Sequence, residues 1–175
     1  QANPLARKSR WIKMVGLRKG HCYTKVKRAY TRKSKYKSKS YVKAVPVNKV
    51  MKYDMGDNKK VFPVEINLRT KQAIQLRHNS LEAARVVVHR HLVNDLGNNF
   101  RLKLKLYPHH VLRENKMLTG AGADRMQSGM QRAFGKPVGI AARVKKGQIV
   151  FSAFVDKEFV DVARSSLMMA RHRLP

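Results

Sequence analysis

An α+β fold, with helices packed on one side of a mostly antiparallel sheet, is predicted by three observations. Of the 175 residues, 43% are hydrophobic, enough for a real core in one domain of ordinary size. One stretch alternates apolar and charged residues strictly, while two others repeat apolar residues every three or four positions. The order of these segments shows no regular strand–helix–strand alternation, which disfavours a parallel sheet. No repeat of 20–50 residues is visible. The full expectation is a two-layer α/β sandwich over 45–175, preceded by a basic N-terminal arm over 1–44, with a long glycine-rich loop at 117–136.

The elements follow in order. Val45 to Asp54 and Val61 to Arg69 read as strands, the second at a sheet edge or bulge because Pro63 lacks an amide donor. Met55 to Lys60 is a turn by composition, and Thr70 to Gln75 could make a short helix. Asn79 is placed to cap a helix, with Glu82 three residues on and Gly97 at its end. Leu81, Ala84, Val88, Leu92 and Leu96 make one stripe on it. Burying its four large side chains contributes about 6–12 kcal/mol before entropy. Phe100, Leu102, Leu104 and Leu106 face one way along a strand, with Arg101, Lys103 and Lys105 on the other face. That cationic row either discourages edge pairing or meets phosphate. Val138 to Val144 and Ile149 to Val155 read as a hairpin about 145–148. Asp156 caps a last helix with the stripe Phe159, Ala163, Leu167, Ala170.

Charge narrows the function. There are 39 Lys and Arg against 10 Asp and Glu, a net charge of +29. Self-repulsion on that scale opposes a compact state unless a polyanion neutralises it. Residues 1–53 carry 17 of the cations and no acid, and 25–43 reads KVKRAYTRKSKYKSKSYVK, with Tyr30, Tyr36 and Tyr41 interleaved. Such a segment can neutralise phosphates and release counterions, while the tyrosine rings stack on unpaired bases. On charge alone, Lys25, Lys27, Arg28, Arg32 and Lys33 of the arm, and Arg143, Lys145 and Lys146 near the second turn, are expected to contact RNA. The lone Cys22 gives no internal disulfide and fits a reducing compartment. No apolar run is long enough to span a bilayer, and residues 1–13 lack the apolar core of a secretory signal. No membrane partner is expected.

Residues 117–139 read MLTGAGADRMQSGMQRAFGKPVG and hold five of the ten glycines. That much glycine disfavours a helix or strand, and Met117, Met126, Met130 and Phe134 have no obvious packing partner. The segment reads as an extension that orders against a partner. It is not a nucleotide cradle: Arg125 stands where a dinucleotide loop needs glycine, and Pro137 follows Gly135-Lys136 where a P-loop needs a hydroxyl. No metal is expected, because His89 and His91 lie roughly 200° apart on a helix and Cys22 has no second thiol. No cofactor is implied. Acid–base catalysis needs a coupled carboxylate or histidine. Glu114 and Asp124, each beside an arginine in sequence (Arg113, Arg125), read as salt-bridging acids of an RNA-facing surface.

Gly20-His-Cys-Tyr23, Lys52-Tyr-Asp-Met-Gly56, Gln75-Leu-Arg-His-Asn-Ser-Leu-Glu-Ala-Ala-Arg85, Tyr107-Pro-His-His-Val-Leu-Arg-Glu-Asn-Lys116, the loop through Arg125 and Gly135-Lys-Pro-Val-Gly139 together resemble one family. It is the universal large-subunit ribosomal protein family called L-sixteen in bacteria and L-ten-e in archaea and eukaryotes. The likeness covers about residues 14–174 and is closest to the archaeal form. It implies a structural, non-enzymatic constituent of the cytoplasmic large subunit, bound to rRNA at the base of the central protuberance. Implied partners are large-subunit rRNA, A-site and P-site tRNA, neighbouring ribosomal proteins and 5S rRNA, with no homo-oligomer. The family's basic positions fall on Arg77, His78, Arg113, Lys116, Arg125, Arg132 and Lys136, expected to contact rRNA or tRNA. Its loop, here Met117, Gly120, Gly122, Asp124, Arg125, Met126, Gly129 and Met130, is expected near the peptidyl transferase centre. A general nucleic-acid-packaging protein would also use the charge, but leaves this loop without a task. An RNA-modifying enzyme lacks catalytic spacing.

Overall fold

The computed structural model describes residues 18–26, 36–40, 42–117, 120, 122, 125 and 129–175. Lys27, Arg28, Arg32, Lys33, Asp124 and Met126, and the rings of Tyr30 and Tyr41, lie outside the described residues.

Seven strands and two α-helices run β1 Asp54–Gly56, β2 Val64–Arg69, β3 Ile74–Arg77, α1 His78–Leu96, β4 Arg101–Leu104, β5 His110–Glu114, β6 Lys136–Val144, β7 Ile149–Val155 and α2 Val160–Met169 among the described residues. The fold is α+β, with every strand pair antiparallel, but there are two sheets rather than one. The first has the order β1-β4-β7-β2 and the second β3-β6-β5. Helix α1 lies against β3, β6 and α2, and α2 lies against β2 and β7. One core joins them: Leu81, Ala84, Val88, Leu92 and Leu96 of α1 meet Leu102 and Leu104 of β4, Phe151 of β7 and Leu167 of α2. The helical stripe and the β4 alternation are thus both realised, with Phe100, Leu102, Leu104 and Leu106 all buried.

Five expectations need correction. Residues 145–148 do not close a hairpin, because β6 and β7 belong to different sheets. The Thr70 hydroxyl donates to the Lys145 carbonyl at 2.8 Å, and the Gly147 amide donates to the Thr70 carbonyl at 2.8 Å. The β2–β3 and β6–β7 connections are therefore stitched together where the chain crosses between sheets. Thr70 to Gln75 is not helical either. Ile74 to Arg77 pairs with Val144 to Ala141, and a strand in register with β6 outweighs weak local helix propensity.

The expected strand at 45–54 shrinks to β1. Pro46 has no amide to give, and three later amides are taken by side chains instead: Lys49 by His78 Nδ1, Val50 by Asn48 Oδ1 and Met51 by Glu82 Oε2. Residues 42–53 run as a strap over the start of α1. Asn79 does not cap the helix. Strand β3 passes directly into α1, whose N-cap is Arg77 without a side-chain bond, and Glu82 is held by Arg85 and Met51. Asp156 likewise makes no cap bond; its carboxylate accepts from Lys60 Nζ at 2.8 Å.

Other details hold. Strand β2 is an edge strand, as Pro63 implied, with a register shift at Leu68/Arg69. Gly97 ends α1 at φ 60°, its amide bonded to the Val93 carbonyl.

Candidate nucleic-acid interface

The glycine-rich segment joins two paired strands. Glu114 lies opposite Lys136 and Arg113 opposite Pro137, so residues 115–135 connect the two strands of a β5–β6 hairpin. Its root is tightly built. A Cβ on Gly135 would stand 2.3 Å from the Glu114 carbonyl carbon and 2.5 Å from the Asn115 nitrogen, so the two chains approach as only glycine permits. One residue earlier, Phe134 finds the partner its sequence did not reveal: the Arg113 guanidinium carbon lies 3.6 Å from its ring centroid. Beyond the root, Met117 and Met130 are 53% and 68% exposed. Arg125 and Arg132 are exposed on the segment, with Lys136 at its base.

Glu114 is not paired with Arg113. Its carboxylate meets Arg18 Nε at 2.7 Å and accepts the Tyr23 hydroxyl at 2.9 Å. The carboxylate is nearly closed off at 9% exposure, whereas Arg18 is 57% exposed. Residues 18–24 are thereby bound to the loop's root. Gln75 supports the same segment twice, its amide donating to the Thr24 carbonyl at 3.0 Å and its side chain to the Tyr23 carbonyl at 2.9 Å. Arg77 donates to the Arg18 carbonyl at 3.1 Å and covers the Tyr23 ring at 5.3 Å. Burial raises the Tyr23 phenol above its ordinary pKa, helped by the Glu114 carboxylate, so it stays a donor. The start of the cationic arm and the root of the glycine-rich loop therefore share one buried carboxylate. Arg18 was not singled out from sequence, and the partners of Tyr23, Gln75 and Phe134 were not legible there, because these contacts join residues 21 to 96 positions apart.

His78 occupies a different setting from the other expected contacts. It is buried beneath the strap, with Nδ1 accepting the Lys49 amide. Desolvation, then Lys49 and Arg77, depresses its pKa, leaving a neutral ring with its proton on Nε2. Lys25, Lys116, Arg143, Lys145 and Lys146 are described; Lys25, Lys116, Arg143, Lys145 and Lys146 are all exposed. On β4, which is an inner strand, the cationic row guards no edge. Arg101 binds both carboxylate oxygens of Asp54 through Nε and Nη2, at 3.1 and 2.7 Å, which holds the Asp54 carboxyl below its ordinary range. Four ion pairs of this kind occur among the described residues, at Glu114, Asp156, Glu82 and Asp54. Even with all ten acids paired, 29 cations would remain for another polyanion.

Among the described residues no three His, Cys, Asp or Glu side chains gather to hold a metal, and no helix is long and apolar enough to cross a membrane. The arrangement offers a cationic surface, with Arg125 and Arg132 exposed on the segment between β5 and β6. The profile of the ribosomal protein L16p/L10e family matches residues 26–175. Similar proteins include the large ribosomal subunit protein uL16 of Methanoculleus marisnigri, 47% identical over 150 residues and 85% of each chain. The protein of the same name from Metallosphaera sedula is 45% identical over 163 residues, covering 91% of this chain and 90% of the relative. That of Archaeoglobus fulgidus is 44% identical over 154 residues, 87% and 85%. The chain belongs to the L16p/L10e family of ribosomal proteins, a structural and non-enzymatic family, with archaeal relatives.

Proposed function

We propose that this chain is a structural constituent of the large ribosomal subunit that binds large-subunit rRNA near the central protuberance. Through the hairpin tip at 117–136 it helps position A-site and P-site tRNA beside the peptidyl transferase centre. Neighbouring ribosomal proteins and 5S rRNA are its further partners. Chemistry belongs to the rRNA; the protein contributes charge, shape and a fixed direction for the tip.

The observation that carries this reading is the hairpin root. A tip used for positioning needs a stiff base, and Gly135 against Glu114 together with Arg113 over Phe134 supplies one. The family supports it, as do the exposed cations Arg125, Arg132 and Lys136 along the segment. His78, being neutral and buried, serves the interface by holding the strap rather than by touching phosphate.

Removing residues 121–130 tests it. Subunits carrying the trimmed chain should assemble, because the trimmed residues lie beyond the root, yet be impaired in tRNA accommodation or peptide synthesis. Translation at the wild-type rate by such subunits would remove the tip from the mechanism.

A further inference from the structure

A row of rings crosses the surface at the β4–β5 connection, at the opposite end of β5 from Glu114. Tyr53, from the strap leading into β1, stacks on Tyr107 with centroids 5.5 Å apart and planes 25° from parallel. Tyr107 in turn lies 4.5 Å from His109 at a 47° tilt. Pro108 between them is fully buried and fixes its own φ, so Tyr107 and His109 flank an anchored residue. The Asn48 side-chain amide donates to the Tyr53 hydroxyl, pinning the far end of the row. A side chain meant for the core would be covered, but Tyr107 is 51% exposed.

The row borders an open groove of about 540 Å³, whose lining includes Lys105, Tyr107, His109, His110, Arg143 and Gln148. That volume falls among the roughly 300–1,000 Å³ of sites that take a small ligand or a single group. No acid lines it, and Lys105 and Arg143 stand at its sides. Flat exposed rings bordered by cations suit one chemistry above others: a nucleobase on the rings and its phosphate on the cations. A duplex presents no free base face, so the occupant has to be unpaired.

We propose that the Tyr107–His109 end of this row binds an unpaired RNA nucleotide, the base stacking on the rings and the phosphate meeting Lys105 and Arg143. The inference rests on the reading of the chain as an RNA-binding protein and adds a second contact, independent of the hairpin tip. It also gives the aromatic residues of the connection a task that packing does not require.

The test uses the purified full chain and two RNA probes, a single-stranded oligonucleotide containing 2-aminopurine and a blunt duplex of equal charge. Tyr107→Leu combined with His109→Leu keeps apolar volume and removes the flat faces. This variant should lose single-strand affinity at least about fivefold, with duplex affinity unchanged. The 2-aminopurine quenching seen with wild type should disappear with it. Tyr107→Phe should behave as wild type, and an unchanged urea midpoint of the leucine variant shows that its connection is still folded. Lys105→Gln with Arg143→Gln should weaken both probes and lower the salt slope. Equal loss on both probes in the leucine variant, or unchanged affinity and quenching, overturns the stacking site. If wild type binds neither probe in a salt-dependent way, the RNA-binding reading itself fails, and this inference with it.

Discussion

Gly135 lies so close to Glu114 that a Cβ on the glycine would stand 2.3 Å from the glutamate's carbonyl carbon. Backbone is on the receiving side of that contact, so no side-chain rotation can relieve it. Gly135→Ala should therefore push β5 and β6 apart at the hairpin root and cost about 1–3 kcal/mol. The urea midpoint checks it. A midpoint within error of wild type would mean that the two strands are not in contact here.

Arg113 over Phe134 adds a second fastening. With the guanidinium 3.6 Å from the ring centroid, a double-mutant cycle of Arg113→Gln and Phe134→Leu should give a coupling of about 0.5–2 kcal/mol. Additive effects would show that the two side chains do not meet.

Glu114 links the hairpin to residues 18–24. In Glu114→Gln the ion pair to Arg18 is lost while an acceptor for Tyr23 remains. Arg18 is largely exposed, so global stability should fall by less than about 1 kcal/mol. The local effect should be larger. The Gln75 amide, which donates to the Thr24 carbonyl, should exchange its proton faster as the segment lifts. Unaltered exchange at Gln75 would place the anchoring elsewhere.

Acid should act in two windows. His78 and His89 are both held below their ordinary 6.5, chiefly by burial, so the unfolded chain takes up protons that the folded chain refuses. Their contribution to stability is complete above about pH 6.5 and drains away as pH drops through 6.5 toward the lower folded values. Asp54 and Glu82 are also held low, mainly by Arg101 and Arg85, and their contribution is lost only below the ordinary carboxylate range. Urea midpoints should thus decline between pH 7.5 and 5.5, then again below pH 4.5. His78→Asn keeps an acceptor where Nδ1 takes the Lys49 amide, and it should flatten the first decline. A flat wild-type profile down to pH 5.5 would contradict the neutral, buried histidine.

Sequence periodicity revealed what depends on neighbours along the chain. Leu81 to Leu96 read as a core-facing stripe because an α-helix repeats every 3.6 residues, and Phe100 to Leu106 as a strand because its faces alternate. It could not reveal partners chosen at a distance. The 145–148 turn has hairpin composition, yet its two strands pair in different sheets and the turn is bonded to Thr70 instead. The 42–53 strap has strand composition, but His78 and Glu82, about 30 residues on, take its amides. The same limit governs the interface. Arg113 and Glu114 drew notice as adjacent opposite charges, whereas one serves Phe134 and the other Arg18 and Tyr23. Glycine spacing marked the loop, while the pairing of Glu114 with Lys136 made it a hairpin tip.

The most direct measurement is a density map of the large subunit carrying this chain together with A-site and P-site tRNA. If the hairpin positions tRNA as proposed, residues 117–136 should lie within contact distance of tRNA beside the peptidyl transferase centre, with Glu114 and Lys136 paired at the root. A map with those residues in bulk solvent, remote from both tRNAs, would contradict the account.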